Sequence, residues 1–210
     1  MFTNVHVSQH PLVKHKQTVL RQTATDSVLF RKLVRELAQL LFFEASADLP
    51  LETVDVDTPL AEYSGHQITE AIGLLPILRA GLGMAEAVLD LVPKAQVWHL
   101  GLYRDHRTLQ PVTYYNKLPP EPTIQRAFVL DPMLATGGSA VAAVDVLKKW
   151  GLARISFLGL IAAPEGVKLL QEHHPDVRIH LAAIDSHLND KGYIVPGLGD
   201  AGDRQFGTGA

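Results

Sequence analysis

Between residues 71 and 184 the chain alternates short apolar runs with helical stretches, and that alternation admits very few architectures. Ala71–Leu78 reads as a buried strand, Gln96–Leu102 as a second and Ala127–Asp131 as a third. Arg154–Ala162 and Val177–Ile184 supply a fourth and a fifth. Helical patterns lie between them: Gly81 to Leu91 (stopped before Pro93), the loop after Asp131 through Trp150, and Glu165 to His173. Strands joined through helices of this length pair in parallel, and runs apolar on both faces must be covered on both sides. The pattern predicts an α/β fold with a mostly parallel five-stranded sheet flanked by helices. In such a sheet ligands bind beyond the carboxyl ends of the strands.

The flanking segments read differently. Residues 11–47 form two helices, with Asp26 as an N-cap and Leu29, Leu33, Leu37, Leu40 and Leu41 at helical spacing. That leucine stripe serves the core or a subunit contact. Leu51–Asp57 alternates apolar and acidic residues, as a half-exposed strand does. Arg107–Leu118, rich in Thr, Tyr and Val and closed by Pro119-Pro120, reads as a hairpin arm spanning about residues 106–119. From Asp185 onward the chain is loop-like and glycine-rich. The whole is a single domain of residues 1–210, with an N-terminal helical extension of about 1–50 and a C-terminal segment of about 186–210.

Composition narrows the function. Hydrophobic residues at 47% supply a core, while a net charge of −3 and a pI near 6.3 argue against nucleic acid or an anionic membrane as main partner. With no cysteine, disulfides, thiolate catalysis and zinc–thiolate sites are excluded. No signal-peptide pattern opens the sequence and its apolar runs are too short to span a bilayer, so the expected location is cytoplasmic. Ten histidines invite a metal reading. His6 and His10 have no acidic ligand in register, however, and His173-His174 end a helix, where they suit its dipole.

The sharpest motif is Val129-Leu130-Asp131-Pro132-Met133-Leu134-Ala135-Thr136-Gly137-Gly138-Ser139. An apolar strand ends in a carboxylate, and a short glycine-bearing loop then opens a helix. Amides at a helix N-terminus hold an anion, and glycines let it approach. Thr136 and Ser139 add hydroxyls, and Asp131 can accept from the vicinal hydroxyls of a ribose. A capped helix after a tight turn would explain the glycines but not the strand-end carboxylate. No lysine is present for a Walker P-loop. Arg79, in Pro76–Met84, and Arg104, in Gly101–Asp105, stand at two further strand ends, where guanidinium suits pyrophosphate. Residues 197–202 match Gly-x-Gly-x-x-Gly, but no helix of useful length can follow, so a dinucleotide reading fails.

Pro76–Met84, Tyr103–Asp105, Asp131–Ser139 and Gly192–Gly207 together resemble the uracil phosphoribosyltransferase family. Thr113–Pro119 and the His10-Pro11-Leu12-Val13 start are similar too, so the likeness spans nearly the whole chain. It implies a type I phosphoribosyltransferase fold with a C-terminal hood over the base. It also implies joining of uracil to 5-phosphoribosyl-1-pyrophosphate, giving UMP and pyrophosphate. Arg79 and Arg104 would bind the pyrophosphate side of the donor. Asp131, Pro132, Met133, Leu134, Ala135, Thr136, Gly137, Gly138 and Ser139 would hold the ribose hydroxyls and 5-phosphate. Ile194, Gly199, Asp200 and Ala201 would hold uracil, largely by backbone groups, with Asp200 also against the donor. A backbone carbonyl facing N3 and an amide facing O4 fit uracil, whereas cytosine would leave both unpaired.

The implied chemistry is displacement at ribose C1 through an oxocarbenium-like transition state, run on positioning and charge stabilisation. Arg79, Arg104 and Mg²⁺ would stabilise the departing pyrophosphate, and Asp200 would assist loss of the proton from uracil N1. Pro132 and Ala135 stand where many relatives of this fold carry acids. No metal site is therefore assigned to side chains, and Mg²⁺ would arrive with the donor. His106-Arg107 and the Gly209-Ala210 end also depart from the family pattern. The family further implies a homodimer or higher homo-oligomer, and GTP as an allosteric activator in some members. The competing readings are a phosphoribosyltransferase for another base, and an RNA-binding regulator that senses nucleotides with the same fold.

Overall fold

The computed structural model describes residues 4–104, 111–116 and 118–208. The chain opens with β1 (Val5–Val7), α1 (Pro11–Arg21) and α2 (Ser27–Ala45), followed by β2 (Leu51–Asp57) and β3 (Glu62–Ile68). Next come β4 (Ile72–Pro76), α3 (Leu82–Leu91), β5 (Gln96–Val97), β6 (Leu100–Arg104) and β7 (Pro111–Asn116). β8 (Arg126–Leu130), β9 (Met133–Leu134), α4 (Gly138–Trp150), β10 (Arg154–Ala162), α5 (Pro164–His173) and β11 (Arg178–Ile184) complete the main body. β12 (His187–Leu188), β13 (Ile194–Val195) and α6 (Ala201–Phe206) close the chain.

The main sheet has seven strands in the order β1-β11-β10-β8-β4-β5, with β9 pairing β10, and every pairing in it is parallel. All five expected strands lie in it, and two short ones join. β1 comes from the segment read as a helical extension and takes the edge beside β11. Three residues are too few to show periodicity, which hid it. The expected second strand is split: Gln96–Val97 stays in the main sheet, while Leu100–Arg104 pairs antiparallel with β7. The arm therefore begins at Leu100, before the expected 106. Its residues 105–110, including His106-Arg107, lie outside the described residues, as do Lys117, Gly209 and Ala210.

Two cores cover the sheet. On one face α2 buries Phe30, Leu33, Val34, Leu37, Leu41 and Phe42 with Leu74, Phe128 and Leu158. On the other, α4 and α5 bury Val144, Leu147, Val167 and Leu170 against Val129, Phe157 and Ile179. Leu29, expected in the apolar stripe, faces solvent at 39% exposure, and its N–H is taken by the Asp26 cap. His10 caps α1 through Nδ1, and His6 stacks on His180 at 4.8 Å. His173 stands in the last turn of α5 and His174 at its C-cap.

Arginines gather at the amino edge of the sheet, where Arg126, Arg154 and Arg178 line a cleft of about 440 Å³. Each is paired there: Arg126 with Asp48 and Glu70, Arg154 with Glu70, and Arg178 with Asp48. The Arg126 hydrogen bond, reinforced by Arg178, holds the Asp48 carboxyl down to about 2. The strand expected at Leu51–Asp57 is half of an unanticipated hairpin with β3, and is far more exposed than its alternation implied.

Candidate active site

The site is built where β4 and β8 end side by side. Pro76 is in register with Leu130, and Ile77 N–H donates to the Leu130 carbonyl at 2.9 Å. The chain then turns through Arg79 to Gly81, whose N–H returns to the Ile77 carbonyl at 2.9 Å. A β-carbon at Gly81 would collide with the Leu130 carbonyl. Glycine is thus what lets the Arg79 loop lie flat on the strand end that carries Asp131. The Leu78–Arg79 peptide is cis.

Asp131 follows β8 directly and accepts from Met133 N–H at 3.2 Å. Burial pushes its carboxyl up to about 7, against the smaller opposite pull of the Met133 amide. The loop then pairs in parallel beside the end of β10 through β9 and turns at Gly137, whose φ of 86° is left-handed. This turn rests on α5, because a β-carbon at Gly166 would collide with the Ala135 carbonyl. No side chain caps α4, so neither Thr136 nor Ser139 is occupied as a helix cap. The first amides of this 13-residue helix thus remain for another acceptor. A β-carbon at Gly138 would meet nothing within 4 Å.

The C-terminal segment folds onto the Arg79 loop. Arg79 donates to Asp203 Oδ1 at 3.1 Å and to Thr208 Oγ1 at 3.3 Å. Gln205, buried in α6, donates to the Ala80 carbonyl at 2.8 Å. Asp200 caps α6 by accepting from Asp203 N–H at 2.9 Å. A methyl group at Gly202 would lie 3.2 Å from Asp200 Oδ1 and 3.6 Å from Arg79 Nη2, so these two groups face a common point. The segment read as loop thus contains a six-residue helix and the β12–β13 pair. Ile194 and Ala201 are buried, Ile194 pairs with Leu188, the Ala201 carbonyl accepts from Gln205, and Gly199 has a φ of 77°.

Arg79, Asp131 to Ser139 and the segment around Asp200 therefore share one rim. Arg104 ends β6 in the separate hairpin, not a strand of the main sheet, and Asp105 lies outside the described residues. Sequence reasoning passed over Asp203, Gln205 and Thr208, which hold the Arg79 loop. It also passed over Asp185, a carboxylate just past the end of β11, where no glycine-bearing loop and helix start follow as they do after Asp131.

Parallel strands ending in an uncapped helix N-terminus, a strand-end carboxylate and a strand-end arginine define the frame of a type I phosphoribosyltransferase. A Staphylococcus aureus hypoxanthine phosphoribosyltransferase superposes with a TM-score of 0.52, over 86% of this chain and 84% of that one, and at 7% identity this speaks for the fold alone. The chain belongs to the uracil phosphoribosyltransferase family, whose model matches residues 7–208. A uracil phosphoribosyltransferase of Roseiflexus castenholzii is 70% identical over 205 residues, covering 98% of this chain and 99% of that protein. The structure of the AQ2163 protein from Aquifex aeolicus matches with a TM-score of 0.90 at 40% identity, over 96% of this chain and 97% of that one.

Proposed function

We propose that this chain transfers the phosphoribosyl group of 5-phosphoribosyl-1-pyrophosphate to N1 of uracil, releasing pyrophosphate and forming UMP. The observation that carries the reading is the meeting of the Arg79 loop, the Asp131–Ser139 loop and the C-terminal segment at one rim. Thr136 to Ser139 take the 5-phosphate on the free amides of α4, and Asp131 accepts from the ribose hydroxyls. Arg79 takes the pyrophosphate, and Arg104 is assigned to the same group by the family resemblance. Ile194 and Gly199–Ala201 present backbone groups to uracil. As the bond from C1 to pyrophosphate breaks, Arg79 stabilises the negative charge that leaves. Asp200, facing the same point as Arg79, accepts the proton that N1 loses.

Among the described residues no group of three or more His, Asp or Glu could hold a metal. On this reading Mg²⁺ arrives with the donor, ligated mainly by pyrophosphate oxygens and water. When bound, it supplies charge neutralisation to the leaving group. A homodimer, cytoplasmic location and GTP activation belong to the same reading. The dimer draws support from the β2–β3 hairpin, where Leu60 is 96% and Tyr63 60% exposed. No described helix is long and apolar enough to cross a membrane. Nothing favours the RNA-binding alternative or another base.

A pyrophosphate-release assay tests the proposal, run with uracil and with hypoxanthine, with and without Mg²⁺ and GTP. Mg²⁺-dependent release with uracil alone is expected. Release with hypoxanthine and none with uracil would overturn it.

A further inference from the structure

We infer that the half-buried ion pair between Arg21 and Asp185 is a positioning element for the base, acting by clamping the backbone of Gly197. The inference rests on the reading that Ile194 and Gly199–Ala201 hold uracil.

Arg21 is the last residue of α1, and Asp185 follows the end of β11 with its side chain 4% exposed. Arg21 donates to both carboxylate oxygens, at 2.7 and 2.5 Å. The same Nη1 donates to the Gly197 carbonyl at 2.7 Å, while Asp185 Oδ2 accepts from Gly197 N–H at 2.9 Å. One ion pair thus takes both backbone polar groups of one residue. Gly197 has a φ of 66°, and a β-carbon there would collide with the Ile194 carbonyl, so the turn from 194 to 197 is already closed tight. The next residue is held from the same side. Arg204 donates to the Leu198 carbonyl at 2.8 Å, and also to the Leu20 and Gln22 carbonyls at 3.1 and 2.6 Å. The end of α1 and the turn after it therefore form a floor beneath the base segment.

Recognition by backbone groups has no rotamer with which to correct an error. A shift of the 194–201 backbone displaces every hydrogen bond to the base together, and misplacement by an ångström can cost two orders of magnitude. A bidentate arginine–carboxylate pair has a fixed planar geometry that a lysine cannot reproduce. The donor loops spring from β4 and β8, so weakening the clamp falls first on the base and reaches the donor only through Asp200 and the α6 contacts to the Arg79 loop.

The test measures KM for uracil and for the donor separately in Arg21→Lys, Arg21→Gln, Asp185→Asn and the Arg21→Gln/Asp185→Asn double variant. Melting curves fix an assay temperature at which each is folded. Arg21→Lys, which keeps the charge, decides the question if the others do not fold. The uracil KM should rise roughly tenfold in the single Gln and Asn variants and less in Arg21→Lys, with the donor KM held within about twofold. The double variant should be no worse than either single one, because both remove the same clamp. An unchanged uracil KM, or equal rises for both substrates, overturns the proposal. Gly199→Ala separates the two levels. If it leaves the uracil KM at the wild-type value, the reading of the base segment fails. If it raises that KM while the Arg21 and Asp185 variants do not, the clamp alone fails.

Discussion

The Arg79 guanidinium donates to the Asp203 carboxylate at 3.1 Å, which joins the loop after β4 to the last helix of the chain. The Thr208 hydroxyl, and then Arg79, hold that carboxyl below its usual range. Arg79 is 58% exposed, so its remaining donors face outward. It is thus aimed by its own protein and still open to an anion. Replacing Arg79 with alanine should lower kcat/KM for the donor by roughly 10²-fold and leave the melting temperature nearly unchanged. Lysine should not restore the loss, because an ammonium cannot reproduce the bidentate geometry. Initial-rate kinetics with donor as the varied substrate checks this, and wild-type kcat/KM in the alanine variant would contradict it.

Asp131 gives a pH dependence of known sign. Burial raises its folded-state value to about 7 from the ordinary 3.8, so between those limits the folded protein binds more protons than the unfolded chain. Stability without substrate therefore falls as pH rises through that window. An amide carries no such charge, so Asp131→Asn should melt higher than the wild type at pH 8, by roughly 5 °C, and lose the advantage near pH 4. Donor binding should run the other way. Ribose hydroxyls donate to the ionised carboxylate, so donor affinity should rise with pH toward 7 in the wild type and lose that dependence in the variant. Melting curves and donor KM between pH 5 and 8 measure both. Parallel melting slopes in the two proteins would refute the assignment.

Much of this arrangement is legible in the sequence, and its limits have physical causes. Strands buried on both faces write themselves as apolar runs, and β10 spans the expected Arg154–Ala162. The Asp131–Ser139 loop is legible because strand end, acid, glycines and helix start are contiguous. β1 was missed because it borrows its partner, β11, from the far end of the chain. The Arg21–Asp185 pair spans 164 positions, and nothing local marks either residue as belonging to the other. The split after Val97 was missed because β5 and β6 are separated by only Trp98 and His99, a bend that apolar content does not reveal.

The glycines of the two loops should separate stability from binding. Gly81 has the Leu130 carbonyl where a β-carbon would go, whereas Gly138 has open space. Gly81→Ala should therefore destabilise the fold, by about 1–3 kcal/mol. Gly138→Ala should fold as well as the wild type, since alanine is the better helix former. It should nevertheless raise the donor KM several-fold, because the methyl group intrudes where the phosphate approaches the amides. Urea denaturation together with donor kinetics distinguishes the two. A Gly138→Ala enzyme with unaltered donor KM would place the phosphate elsewhere.

The β2–β3 hairpin bears on assembly. Its strands are paired along seven residues each, yet Leu51, Val56, Leu60, Tyr63 and Ile68 are exposed. A lone two-stranded hairpin is marginal in water, and the proposed homodimer would cover its apolar groups with a second copy of the chain. Leu60→Lys with Tyr63→Lys should shift the protein from dimer toward monomer, raising the dimer dissociation constant by at least tenfold, an effect of about 1.4 kcal/mol. The rim around Arg79 and Asp131 lies on other elements, so far-UV circular dichroism should stay unchanged. Light scattering across a dilution series reads the mass directly. A wild-type chain that is already monomeric at micromolar concentration, or a double variant that dimerises as well as the wild type, would show that the hairpin does not hold the copies together.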